Sequence, residues 1–270
     1  MAEGGDAPNR VIFGQDTKLS RTMHDIRYSE KRDEIYVANP FAQAVLTFRG
    51  SATGEEAPIR VIQGSRTRLT NPDMIAVDDL NEEMVITGAN EILVFPLLAN
   101  GDVAPKRMIQ GGRDVGWYTS FPSGAVIDPV RNLIIADGGV YDAEGRRGGT
   151  RDSLLIFDRT ADGKAQPLRV IRGPNTGIKG IRQMDINPET GWIVVAQITS
   201  GSIAEPEGTF VGVWHVTDHG DVPPRWRIDG TPENGMKKPR GVALNPNHKE
   251  LIVSDMRMNA VLTFHFPEIF

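Results

Sequence analysis

The sequence predicts an all-β chain folded as a five-bladed β-propeller of four-stranded antiparallel blades, and three observations agree on it. A proline–strand–glycine unit occurs five times, as "PNRVIFG" (8–14), "PIRVIQG" (58–64), "PKRMIQG" (105–111), "PLRVIRG" (167–173) and the looser "PRWRIDG" (224–230). Three further strand-length segments recur in fixed order between the copies. With 29 Gly and 18 Pro in 270 residues, punctuation is dense, which favours many short strands joined by turns over a few long helices.

The first of the three segments reads "HDIRYS" (24–29), "MIAVDD" (74–79), "SGAVID" (123–128), "RQMDIN" (182–187) and "RGVALN" (240–245). The second reads "EIYVA" (34–38), "EMVIT" (83–87), "NLIIA" (132–136), "WIVVA" (192–196) and "ELIVS" (250–254). The third reads "AVLTF" (44–48), "EILVF" (91–95), "SLLIF" (153–157), "VGVWHV" (211–216) and "AVLTF" again (260–264). Each is rich in β-branched residues, as strands are. Short polar links such as "NPETG" and "NPNHK" join the first two, and tight links favour antiparallel neighbours. One four-stranded meander cannot bury both of its faces, so the units must stack radially.

The blades are expected at about 24–64, 74–111, 123–173, 181–230 and 240–266, within a single domain spanning 1–270. The chain opens on a fourth strand and its last repeat stops at a third. Residues 9–14 are therefore expected to pair with the C-terminal blade and close the ring, which would remove the exposed edge of an open array. A sixth blade would need residues the repeat does not supply.

The repeat resembles the NHL-type propeller family, related to gluconolactonase-like propellers. The matching stretches are "PRGVALN" (239–245) and "PSGAVID" (122–128) in the first strand, "EIYVAN" (34–39) in the second and "NAVLTF" (259–264) in the third. The resemblance covers nearly the whole chain. It departs from the family in blade number, more often six there, and in the first and fourth blades, whose first strands "MHDIRYS" and "IRQMDIN" lack the Pro and Gly. It implies scaffold and ligand-binding roles, or a metal-dependent lactonase or lyase, and a shared fold does not choose among them.

Composition narrows the partners. A net charge of −5 provides no global positive field for nucleic acid or an anionic membrane surface. The apolar runs, such as "LLIF" (154–157), are far below the ~20 residues that span a bilayer, so membrane insertion is not expected. No cysteine is present, which excludes disulfides and thiolate chemistry and leaves oxygen and imidazole ligands for any metal. The opening "MAEGGDAP" resembles a mature N-terminus carrying a starting Met, so a periplasmic or extracellular home is expected, with the cytoplasm as the alternative.

Sites in a propeller belong to the loops at the mouth of the axial channel. The residues leading into the first strands are Met23, Asp73, Ser123, Arg182 and Arg240, followed by His24, Met74, Gly124, Gln183 and Gly241. Those ending the second strands are Asn39, Gly88, Asp137, Gln197 and Asp255. Arg182 and Arg240 could bind a carboxylate or phosphate through their guanidinium forks, or could pair with Asp73 or Asp185. Two insertions, 138–152 and 198–209, fall on the same face, and with "GWYTSFP" (116–122) they would bring Trp117, Tyr118 and Tyr141 to the mouth. Ligand binding is thus expected at Arg182, Arg240, Gln183, Trp117, Tyr118, Tyr141 and Gln197.

Asn39, Asp73, Asp137, Asp255 and His24 could hold Ca2+ or another divalent cation, yet Asp or Asn at a strand end most often caps a turn by accepting backbone N–H groups. The repeated arginine of the proline unit (Arg10, Arg60, Arg107, Arg169) is read as a bridge between strands or blades, with Trp226 packing in its place in the fifth copy. No phosphate loop, nucleophile elbow or HExxH motif is present. The leading expectation is a non-enzymatic scaffold without a cofactor, binding a protein partner or small ligand at the mouth. A metal-dependent lactonase or hydrolase using the acidic residues there is one alternative, and a structural subunit of a larger assembly is another.

Overall fold

The structure is a computed structural model and describes residues 7–120, 124–149, 151–199, 208–231, 233 and 235–270. It is all-β, with five antiparallel sheets arranged as a propeller and, among the described residues, single-turn 3-10 helices only. Blade one contains β1 (Asp25–Ser29), β2 (Glu34–Asn39), β3 (Ala44–Arg49) and β4 (Arg60–Ile62). Blade two contains β5 (Ile75–Asp78), β6 (Glu83–Gly88), β7 (Glu91–Pro96) and β8 (Arg107–Gln110). In blade three, β9 (Trp117–Tyr118) precedes β10 (Ala125–Asp128), β11 (Leu133–Val140), β12 (Ser153–Asp158) and β13 (Arg169–Ile171). Blade four contains β14 (Ile181–Asn187), β15 (Trp192–Gln197), β16 (Phe210–His215) and β17 (Trp226–Asp229), and blade five β18 (Pro239–Asn245), β19 (Glu250–Asp255) and β20 (Ala260–His265).

Local chemistry explains the hairpins. The residue before each second strand has a positive φ: Asp33 at 50°, Glu82 at 56°, Asn132 at 59°, Gly191 at 82° and Lys249 at 53°. In blades two and three an aspartate at the end of the first strand holds that turn, Asp78 accepting from the N–H groups of Leu80 and Asn81 and Asp128 from those of Val130 and Arg131. These are the turn-capping roles that short acidic side chains favour.

Apolar packing then joins blade to blade. One cluster links blades one and two through Tyr36, Ile62, Ile75, Met84 and Phe95, and similar clusters link two to three, three to four and four to five. The joints also use the backbone. The fourth-strand residues Ile62, Ile109 and Ile171 form parallel bridges to Gly101, Gly163 and Gly220 of the following blade. No helix among the described residues is long and apolar enough to cross a membrane.

The expected pairing of the closing strand with blade five is not made. The sheet of blade five has three strands, and residues 9–14 do not pair with β20. Instead Ile12 bridges Gly54 in blade one, with Gly54 N–H donating to Val11 O (2.7 Å) and Phe13 N–H to Gly54 O (3.0 Å). The segment thus makes the same joint to blade one that Ile62 makes to blade two, and Ile12, Leu19 and Met23 pack on the apolar cluster of blade one. Those contacts are satisfied without β20. No apolar cluster of described residues spans blades five and one, and a cleft separates them.

Candidate functional site at the axial mouth

The first strands of successive blades lie against one another around the axis, where a buried polar network fills the floor. Arg27 of β1 donates Nε–H to Asp25 (3.2 Å) and to the carbonyl of Ile75 (3.0 Å), and reaches across to blade four at Met184 O (3.3 Å) and Asp185 (3.6 Å). Gln183 donates to Asp25 (2.8 Å) and accepts from Val242 N–H of blade five (2.9 Å). Burial pushes the carboxyls of Asp25 and Asp185 up, and the neighbouring Arg27 opposes it in both. Gly241 beside Gln183 has no room for a side chain, since a Cβ there would stand 2.7 Å from Gln183 Oε1.

Above this floor a cavity of about 1200 Å³ opens at the mouth and runs outward into the cleft between blades five and one. Its axial part is lined by His24, Asp73, Met74, Arg151, Arg182 and Arg240, and its outer part by Val11 and Ile12 on one wall and Ala260 and Val261 on the other. His24 Nδ1 meets Asp73 in a short contact. Arg151 is nearly buried and is tied to Asp137 (Nε to Oδ2, 2.6 Å) and to the main-chain oxygen of Arg182 (3.2 Å). Among the described residues the guanidiniums of Arg182 and Arg240 make no hydrogen bond or ion pair. Burial, with Arg240 and Arg151 adding to it, pushes Arg182 down to about 10. Arg240 is also pushed down, by burial first, while Asp73 opposes the shift and Arg151 adds to it.

The structure sorts the expected site residues. Arg182, Arg240 and Gln183 share the cavity, although the amide of Gln183 is spent within the axial network. Gln197 is fully buried and does not line it, because its amide accepts from the N–H groups of Lys179 and Gly180 and donates to Gly208 O. Trp117 and Tyr118 are core residues. Trp117 packs on Phe157 and donates to Ala165 O, while the Tyr118 hydroxyl contacts the carbonyl oxygens of Gly148 and Gly149. Tyr141 stands edge-on to Tyr118, whose ring also carries the Arg147 guanidinium at 4.6 Å. Around Tyr118 and Tyr141 the insertion 138–152 is thus held against β9, while Arg151 near its end reaches the mouth.

The cation candidates do not converge. Asn39 holds Ser20 and Lys18 O; Asp137 accepts from Gly124 N–H and Arg151; Asp255 accepts from the N–H groups of Lys237, Lys238, Arg257 and Met258. Only His24 and Asp73 meet, and no cluster of three or more His, Asp or Glu among the described residues is placed to hold a metal. Ser123 and residues 200–207 of the second insertion lie outside the described residues. Arg151 escaped the sequence reading because it sits in an irregular insertion, where repeat alignment assigns no position.

Neither a protein-family model nor a curated protein matches this chain. Among solved structures, hydrazine synthase from Kuenenia stuttgartiensis, a β-propeller, is similar with a TM-score of 0.57 and 16% identity over 84% of this chain. The chain spans about half of that one, 54% of its length. The similarity establishes the propeller fold and leaves the NHL-like subtype as a resemblance.

Proposed function

We propose that the protein is a non-enzymatic binding module that takes a carboxylate- or phosphate-bearing ligand at the axial mouth, with Arg182 and Arg240 as the anion clamp. What supports this reading is one observation: two half-buried guanidiniums face a cavity without a bonded counter-ion, while their mutual repulsion disfavours the charged state of Arg182. Buried cations ordinarily pair, and an unpaired set relieved by an incoming oxyanion is the electrostatic form of a receptor. The side chains of Met74 and Met23 and the adjoining cleft give such a ligand an apolar bed for the rest of its body.

The test is calorimetric titration of the intact chain with inorganic phosphate and with a short dicarboxylate. Binding is expected, and Arg182→Met should weaken it about tenfold or more, the worth of a charge-assisted hydrogen bond. The same substitution should raise the thermal midpoint. A base held below its ordinary value opposes folding at neutral pH, so removing it relieves on the order of 1 kcal/mol after solvent screening. No binding of either anion, or full affinity in Arg182→Met, would overturn the proposal.

A further inference from the structure

The same two strands occur twice in this molecule, once paired and once apart. In blade one "AVLTF" (44–48) runs along β3 and "RVI" (60–62) forms β4, in the register Val45↔Ile62, Leu46↔Val61 and Thr47↔Arg60. Ile59 donates its N–H to Thr47 O (2.8 Å), and Arg60 pairs with Glu34 (2.5 Å), the first residue of β2. An identical "AVLTF" (260–264) runs along β20, and an identical "RVI" (10–12) lies near the start of the chain. Glu250, the first residue of β19, opposes His265 as Glu34 opposes Arg49, so it holds the place of Glu34.

The second set is open to solvent where the first is not. Val45 is fully buried, whereas its counterpart Val261 is 68% exposed; Ile62 is 2% exposed, whereas Ile12 is half-buried and Val11 is exposed. Among the described residues Arg10 makes no hydrogen bond or ion pair, and Glu250 accepts from Asn245 (2.9 Å) and pairs with no cation. The two halves face each other, since Arg10, Val11 and Ile12 line one wall of the cleft and Ala260 and Val261 the other. The bridge from Ile12 to Gly54 does not compete with pairing. Ile62 bridges Gly101 and pairs with Val45 at once, as Ile109 and Ile171 also bridge one blade while paired in their own.

We propose that residues 9–12 are a clasp, and that the ring exchanges between an open form with the cleft and a closed form in which they add to β20 as the fourth strand of blade five. The closed register is Val261↔Ile12, Leu262↔Val11 and Thr263↔Arg10, with Arg10 on Glu250. Burying Val261 and Ile12 and pairing the edge of β20 favour closure. Opening leaves the cleft as a second way to the cavity at Arg182 and Arg240, so the clasp gates that approach. The inference stands on the duplicated strands and holds whatever the axial arginines bind.

The chain has no cysteine, so an introduced pair reports without background. Val11→Cys with Leu262→Cys sets two thiols directly opposite each other in the closed register, with Cα atoms about 4.5–5.5 Å apart and so within disulfide reach. Mild oxidation of the full chain should cross-link them within one molecule, as it should Leu46→Cys with Val61→Cys at the paired site in blade one. Adding Glu250→Arg should slow the first cross-link about fivefold by opposing like charges, and Arg10→Glu on top should restore it. In the cysteine-free chain, Arg10→Glu alone should speed amide exchange in β20 about fivefold and leave β3 unchanged. The clasp is overturned if positions 11 and 262 do not join under oxidation that joins 46 and 61, or if joining ignores both charge changes, which would mark chance encounter. Unchanged exchange in β20 also overturns it. Cross-links formed between two molecules rather than within one would overturn it too, giving the edge to a second copy.

Discussion

Glu83 shows how much a single side chain can organise. It is nearly buried at the start of β6 and accepts from Lys106 (2.9 Å) and Arg107 (2.8 Å) of its own blade and from Arg159 of the next (2.5 Å). Burial alone would raise its pKa, yet the hydrogen bonds from Arg107, Lys106 and Arg159 hold it down to about 2. A carboxyl held low stabilises the fold above its ordinary value near 4.5, and that contribution, on the order of 3 kcal/mol, is lost as pH falls toward 2. Glu83→Gln should therefore lower stability at pH 7 by about 2–4 kcal/mol, since it strands three cations, and flatten the acid limb between pH 4.5 and 2 in urea titrations. The arginine half of this arrangement is legible in the sequence, where the repeated arginine of the proline unit reads as a bridge, and Arg60 and Arg107 do bridge strands. Its glutamate partners are not, because the pairing runs from the second strand to the fourth, and only the register brings the two together.

At the scale of elements, each of three joints ends in a turn that the repeat spells more fully than its first seven residues suggest. "GQDTKL" (14–19), "GSRTRL" (64–69) and "GPNTGI" (173–178) share a glycine, a threonine three residues on and an apolar residue two further. The threonine hydroxyl donates to the glycine carbonyl, as Thr67 does to Gly64 (2.7 Å), and accepts from the apolar residue's N–H, as from Leu69 (3.2 Å). Gly64 itself has φ 131°, and a Cβ on it would lie 2.4 Å from Asp102, which accepts from Arg66 N–H across the joint. Gly64→Ala should cost about 2 kcal/mol through backbone strain and the displaced aspartate, measurable as a shift in the urea midpoint. The four strand types were readable from alternation and turn residues, because those patterns are local. The turn is harder to read, because its hydroxyl bonds leave only three residues at fixed spacing in an otherwise polar stretch.

Across the whole molecule, five blades were legible and the closure was not. A repeat shows that a fourth strand opens the chain, but three other fourth strands both pair in their own sheet and bridge the next blade, and of these two contacts Ile12 makes the bridge, at Gly54, where blade-one packing that alternation does not encode holds it. With no apolar cluster of described residues between blades five and one, the axial network carries more of the load, and Arg27 links blade one to blade four across the centre. Arg27→Met should cost about 3–5 kcal/mol, because it leaves Asp25 and Asp185 buried without their cation. Hydrogen exchange should then rise in β1 and β14 before it rises in β10.

The cleft in the rim also changes how a guest could arrive. A sealed annulus admits molecules end-on and limits them to the width of its bore. Here the slot leads radially from the outer edge to the arginines at the hub. On the proposed reading, a long, thin ligand would slide in sideways, its charged tip at the centre and its tail trailing out between two blades.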